Sequence, residues 1–235
     1  MLKAVKNFLL DVIFPKKCLN CGREGAYFCE DCLSLIEINP FEYCLCEKPQ
    51  KLMSTGKCWF CRDRKLNGLY SAASFKERRV KLLVHHLKYL NQIKELADYL
   101  SFLILAHFNF ITKEIPSDSL LVPVPLFIKR KKARGFNQAE EIAKIISAKT
   151  GAKISLDNLK RIRNTQPQVK LNKMERIENI KNAFAVSNAE EFKKKIIFLV
   201  DDVYTTGATM EECAKELKRA GASEVWGLTA ARETN

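Results

Sequence analysis

An α/β fold is predicted for this chain: a parallel β-sheet flanked by helices, preceded by a small cysteine-rich module. Three observations predict it. The run Ile196-Ile197-Phe198-Leu199-Val200 is apolar throughout and bounded by lysines and aspartates, as a central parallel strand covered on both faces should be. From residue 69 onward, strand-like and helix-like segments follow one another. Eight of the nine cysteines precede residue 62, which sets an N-terminal module apart from the rest.

The chain has 235 residues, enough for one α/β core and a small module. Its formal net charge of +13 makes polyanions natural partners, either nucleic acid or phosphorylated small molecules, although a basic surface also serves solubility. Residues 1–14 carry Leu2, Val5, Phe8, Leu9, Val12 and Ile13 at helical spacing, interrupted by Lys3, Lys6, Asn7 and Asp11. Without a continuous apolar run or a small-residue cleavage site, this reads as a packing helix and not a signal peptide. A helix lying on a membrane surface is the alternative. No stretch approaches the roughly 18 consecutive apolar residues of a membrane span, so a cytoplasmic protein is expected.

The cysteines fall in pairs: Cys18-x-x-Cys21, Cys29-x-x-Cys32, Cys44-x-Cys46 and Cys58-x-x-Cys61. A C-x-x-C knuckle brings two thiolates to one tetrahedral metal without strain, and two knuckles make a closed structural Zn²⁺ site. Eight thiols suit two zinc ions, or one with spare cysteines; Cys44 and Cys46, one residue apart, are the irregular pair. A reducing compartment argues against disulfides, and the repetition of pairs against a redox dithiol. An iron–sulfur cluster would use the same ligands. The metal is expected to support folding, because so short a segment buries little core. Cys213, far away on a helix, reads as a small buried hydrophobe. The expected division is a module at 1–65 and an α/β domain at 66–235.

Along that second domain, 69–75 reads as a strand and 76–99 as a helix with Val80, Leu83, Val84, Leu87 and Leu90 on one stripe. His85 and His86 are adjacent, point to different helix faces and do not have metal spacing; His107 has no sequence partner. Residues 119–125 form a strand whose prolines stop pairing at the ligand edge. The segment Lys129-Arg130-Lys131-Lys132-Ala133-Arg134, followed by Gly135-Phe136-Asn137-Gln138, reads as a shaped basic loop suited to pyrophosphate or a nucleic-acid backbone. A plain solvated turn is the alternative. Arg161, Arg163, Thr165, Gln166 and Gln168 lie in a polar stretch without apolar periodicity, read as a mobile loop that closes over phosphate substrates. A short helix over 172–182 follows, then 183–186 and the strand at 196–200. A helix over 209–220 stops at Gly221, and 225–229 is the last strand.

The densest chemistry follows the central strand. Asp201 and Asp202 can accept hydrogen bonds from sugar hydroxyls or hold a divalent metal. The turn Thr205-Thr206-Gly207-Ala208-Thr209, opening a helix, offers N–H groups, hydroxyls and the positive end of a helix dipole to a phosphate. At the carboxyl end of a parallel strand, this combination suits a ligand that is both sugar and phosphate.

The string FLVDDVYTTGAT resembles the phosphoribosyl pyrophosphate (PRPP) motif of type I phosphoribosyltransferases. The resemblance implies that Asp201 and Asp202 bind the ribose 2′ and 3′ hydroxyls and that Thr205, Thr206, Gly207, Ala208 and Thr209 cradle the 5′-phosphate. With the cysteine pairs and the strings LKY, VPVPLFIKRKKARGFNQA, RIRNTQPQ and ERIENIKNAF in this order, most of the chain resembles the ComF family. Those are competence-associated proteins with a zinc-binding N-terminus and a phosphoribosyltransferase-like domain. The resemblance implies structural Zn²⁺, PRPP with Mg²⁺, a role in handling incoming single-stranded DNA during natural transformation, and a competence helicase as partner. Cys44-x-Cys46 departs from the C-x-x-C expected there.

Two functions of different class follow. In an active phosphoribosyltransferase of nucleotide metabolism, Lys88 and Arg134 would neutralise pyrophosphate with Mg²⁺, and the 161–168 loop would close over the site. No residue stands out as a general base, and the acceptor is unspecified. In a binding module, Lys129, Arg130, Lys131, Lys132, Arg161 and Arg163 would follow a single-stranded DNA backbone. Tyr43, Trp59, Phe60 and Phe136 would be available for stacking, although each type is commonly a packing residue.

Overall fold

The computed structural model describes residues 15–52, 56–90, 93–165 and 173–233. The expected helix at 1–14 lies outside these residues, as do Gln166 and Gln168. In chain order the elements are α1 (Glu30–Ser34), β1 (Gly68–Ser74), α2 (Arg78–Lys88), α3 (Leu96–Phe110), β2 (Leu120–Pro123), α4 (Ile128–Arg134), α5 (Gln138–Thr150), β3 (Lys153–Ile154), β4 (Leu159–Arg161), α6 (Lys173–Ile180), β5 (Phe184–Val186), β6 (Ile196–Tyr204), α7 (Ala208–Arg219) and β7 (Glu224–Arg232).

Five strands form a parallel sheet in the order β1-β7-β6-β2-β3, and β4 pairs antiparallel with β5 in a separate ribbon. The α/β fold expected from the sequence is the one observed. Side chains of a strand alternate between faces, and β6 shows what that does here. Phe198 and Val200 enter one apolar cluster with Val84, Leu103 and Ile142 of α2, α3 and α5. Ile197 and Leu199 enter the other, with Cys213 and Leu217 of α7 and Phe184 of β5. Such two-sided burial explains the unbroken apolar run. Cys213 is fully buried, as a small hydrophobe.

Each cysteine group joins a different cluster. Cys18, Cys29 and Cys32 pack on the α3 side, where Phe28 and Tyr99 have ring centroids 6.0 Å apart. Cys44 and Cys61 belong to the α7 side. Among the described residues, no helix is long and apolar enough to cross a membrane.

The structure corrects four element boundaries. The helix expected over 76–99 ends at Lys88, and α3 begins at Leu96. Leu90, which would continue the stripe of Val80, Leu83, Val84 and Leu87, is exposed instead, and a new stripe starts at Leu96. The basic segment after β2 is a helix and not a loop: α4 ends in Gly135 at φ 82°, a left-handed cap that glycine adopts without a Cβ penalty. Lysine and arginine are good helix formers, but without apolar periodicity this helix leaves no pattern to read. Strand β6 runs to Tyr204, beyond Val200, because it remains paired with β7 through Tyr204 and Arg232. Strand β7 likewise extends from Glu224 to Arg232.

Candidate functional site

The carboxyl ends of β2, β6 and β7 open into a cleft of about 470 Å³. Its wall includes Asp201 of β6, Thr205 and Gly207 of the β6–α7 connection, Ala208 and Thr209 at the start of α7, Lys88 and Tyr89 from the end of α2, and Arg130, Arg134 and Arg161. It also includes His85, Gln138, Arg176, Tyr204 and Glu233. The described part of the polar stretch contributes a strand residue here: Arg161 is the last residue of β4.

Because β6 continues through the acidic pair, its pleat sends the two carboxylates to opposite faces. Asp202 is fully buried on the α2–α5 side. Lys88 Nζ lies 2.5 Å from its Oδ2, and Gln138 Nε2 donates to its Oδ1 at 3.4 Å. Asp201 is half-buried and lies on the cleft wall. Burial alone would raise the Asp202 carboxyl; the Lys88 ammonium overrides that and holds it below its ordinary value. Burial would lower Lys88, and Asp202 and then Asp201 override it upward. Asp201 is pushed well up by burial and by the neighbouring Asp202 charge.

The turn between Tyr204 and α7 is shaped by Gly207. Its φ is 77°, and a Cβ there would come within 2.2 Å of Tyr204 Oη; only glycine fits. Ala208 N–H donates to Thr206 Oγ1 at 3.4 Å, and α7 begins at Ala208 with its amino end at the cleft. The cationic wall is built by backbone and side-chain acceptors. Arg130 Nη2 donates to Thr165 O at 2.5 Å, Arg161 to Thr165 Oγ1, and Arg134 to Gln138 Oε1. Burial, with Arg130 nearby, lowers Arg161 to about 10, so it stays charged at neutral pH.

The basic residues nominated from sequence thus divide. Lys88, Arg130, Arg134 and Arg161 meet in the cleft. Lys129, Lys132 and Arg163 are exposed; Lys131 pairs with Glu140 at 2.8 Å, and Arg163 donates to Lys181 O. Tyr89, Tyr204 and Arg176 were not assigned to the site from sequence, and Gln138 entered only as the end of the shaped basic segment. Their signal was proximity in sequence to the motifs: Tyr89 adjoins Lys88, Tyr204 adjoins Thr205, and Arg176 lies in the string ERIENIKNAF. His85 is exposed and His86 half-buried, and buried His107 has its Nδ1 2.7 Å from Asn39 O.

Two further sites lie in the cysteine module. The thiols of Cys18, Cys21, Cys29 and Cys32, and those of Cys44, Cys46, Cys58 and Cys61, form two tetrads, each with its Sγ atoms within 4.8 Å of one another. Tetrahedral Zn–S bonds of about 2.3 Å require sulfurs about 3.8 Å apart. Measured separations are 3.6 Å for Cys21–Cys29, 3.5 Å for Cys46–Cys58 and 3.6 Å for Cys58–Cys61. Either tetrad can therefore hold a metal, and four thiolates suit zinc. The irregular Cys44-x-Cys46 pair takes its place in the second tetrad like the others.

Outcomes for both the tetrads and the acidic pair are expected from this geometry. Elemental analysis of the purified protein should find two zinc ions per chain, one per tetrad, and Cys46→Ser should remove one of them. Asp201→Asn should raise the thermal midpoint, because it removes a half-buried carboxyl whose charged form burial and Asp202 disfavour; each kcal/mol gained shifts it by about 2–4 °C. The pH dependence follows from the shifts. With its carboxyl raised, Asp201 binds a proton in the folded state before the unfolded chain does at about pH 3.9. Stability therefore rises as pH falls through the folded value towards about 3.9. The Asp202 contribution has the opposite sign: it is present above about pH 3.9 and is lost only below, through its depressed value. Thermal unfolding of the parent between pH 7 and pH ~4 should show the gain from Asp201, and Asp201→Asn should lack it.

A family model of the phosphoribosyl transferase domain matches residues 108–231. Among similar proteins, the Competence protein F of Haemophilus influenzae is 36% identical over 127 residues, covering 51% of this chain and 54% of that protein. The DNA utilization protein YhgH of Salmonella typhi is 34% identical over 153 residues, covering 63% and 66%. The Competence protein ComFC of Streptococcus pneumoniae is 32% identical over 119 residues, half of each chain. The chain thus spans between half and two thirds of the length of these relatives. The matched region runs from α3 into β7, exceeds half of the chain and contains the β6–α7 turn with Asp201; the chain belongs to the phosphoribosyl transferase domain family.

Proposed function

We propose that this protein binds PRPP or a related ribose phosphate in the cleft and acts in the cytoplasm in handling incoming single-stranded DNA during natural transformation. One observation carries the ligand assignment. The Asp201 carboxylate, the hydroxyl-bearing turn at the amino end of α7, and the cations Lys88, Arg130, Arg134 and Arg161 converge on a single cleft. A carboxylate suits sugar hydroxyls, the helix terminus suits a 5′-phosphate, and the cationic wall suits pyrophosphate. Asp201 and Glu233 on the same wall suit Mg²⁺, which one or two carboxylates hold together with ligand phosphates. The names of the relatives, competence and DNA utilization, favour the cellular role, in which a competence helicase is the partner.

A second reading is phosphoribosyl transfer to an acceptor base. The concentration of arginine beside the turn favours it, because departing pyrophosphate needs its charge stabilised as the bond to ribose C1 breaks. Release of pyrophosphate on addition of a base would establish it.

The surface outside the cleft carries the DNA part of the proposal. Trp59 and Phe60, between Cys58 and Cys61 in sequence, are 72% and 81% exposed, and the Arg62 guanidinium lies 3.5 Å from the Trp59 ring centroid. An aromatic platform with adjacent cations suits stacked bases and their phosphates. By contrast, Tyr43 and Phe136 are half-buried.

Calorimetric titration with PRPP and Mg²⁺ should show binding by the parent and a loss of about tenfold or more in Asp201→Asn. A folded parent that fails to bind would end the ligand assignment. Titration with an oligothymidylate should show affinity falling steeply with salt, and Trp59→Ala should weaken it by about 1–3 kcal/mol. Affinity that stays flat from low to high salt would remove the DNA part.

A further inference from the structure

We propose that the second cysteine tetrad is the scaffold of the phosphate turn, and that Arg232, Tyr204 and Arg64 are positioning residues linking the two. This rests on the reading of the cleft as a ribose-phosphate site. Arg232, the last residue of β7, is 5% exposed. Its Nη1 donates to Cys44 O at 2.6 Å, and its Nη2 donates to Cys46 O. One buried guanidinium therefore holds both carbonyls of the irregular pair, which gives the one-residue spacing a structural use. The same guanidinium stands 5.2 Å from the ring centroid of Tyr204, the last residue of β6.

Tyr204 is 3% exposed, and its hydroxyl accepts from Arg64 Nη1 at 3.1 Å. Arg64 follows Cys61 of the tetrad closely, and its own N–H donates to Cys61 O at 3.2 Å. The same hydroxyl packs against Gly207 so closely that a Cβ there would not fit. A second strand of contacts runs in parallel: Glu211, in the first turn of α7, accepts from the N–H groups of Lys65 and Leu66. The path from the tetrad to the phosphate turn is thus short: hydrogen bonds join Arg232 to Cys44 and Cys46 and Arg64 to Tyr204, and ring and packing contacts join Arg232 to Tyr204 and Tyr204 to Gly207. The first tetrad is placed differently. Its neighbourhood meets α3 through the Phe28–Tyr99 contact, and the Arg23–Asp31 ion pair is internal to its module. Identical ligand sets therefore serve different purposes: one closes the module, and the other also sets the shape of the turn.

The test uses the full chain loaded with zinc. Hydrogen–deuterium exchange is followed over residues 203–211, and ribose 5-phosphate is the titrated probe. Arg232→Gln and Arg64→Ala should speed exchange in that segment and weaken the probe about tenfold. Arg23→Ala, in the first module, should leave that exchange unchanged. Unchanged exchange in folded Arg232→Gln and Arg64→Ala would overturn the proposal. Should Arg232→Gln fail to fold, Arg64→Ala, which removes a half-exposed side chain, decides alone. A parent that does not bind ribose 5-phosphate would count against the ligand assignment, while the exchange result would still decide the scaffold.

Discussion

The ligand edge of this sheet depends on how one buried carboxylate is compensated. Strand β6 is covered on both faces, and Asp202 sits in it with no exposure. An isolated ionised carboxylate there would be prohibitively costly. The ammonium of Lys88, in the last turn of α2, meets it directly. Taking both charges out of water costs much of what their attraction returns, so the pair is weak as a source of stability and strong as a constraint on position. It fixes the end of α2 against the end of β6, and Gln138 brings the first turn of α5 to the same carboxylate. The adjoining Tyr89 and His85 then fall on the cleft wall as a consequence.

With Asp202 committed inward, Asp201 is left as the acid of the motif that faces the cleft. The pleat of a strand, together with the continuation of β6 to Tyr204, is sufficient to separate the two. Two adjacent acids in a sequence motif need not act alike. Here one organises the elements and the other faces the cleft.

The limits of sequence reading have the same physical origin. The five apolar residues before Asp201 reveal a two-sided strand because burial on both faces leaves no polar position to interrupt them. The glycine of the turn and the cysteine pairs are legible because φ of 77° and tetrahedral thiolate geometry each admit few residue types. Helix α4 was not legible as a helix, because a run of lysines and arginines has helix propensity but no stripe. The break between α2 and α3 was hidden for the opposite reason: both helices are apolar on one side, and only the exposure of Leu90 shows that the stripe has changed phase. Gln138, Tyr204 and Arg232 act through contacts distant in sequence, which no local spacing records.

The remaining question is how a cleft can hold several cations together before an anion arrives. Thr165 supplies part of the answer: its carbonyl accepts from Arg130 and its hydroxyl from Arg161, so uncharged dipoles hold the two guanidinium groups. The compensation is incomplete. Arg161 is depressed by burial and by the neighbouring Arg130, the mark of a charge kept in an unfavourable place by the surrounding fold. An anionic ligand would be favoured twice over, by attraction to the wall and by relief of repulsion within it. The same arrangement discriminates by charge, because a neutral sugar would gain the Asp201 hydrogen bonds but leave the arginine repulsion in place. On the proposed reading, a phosphorylated sugar would satisfy both ends of the cleft through charges that the fold has already oriented.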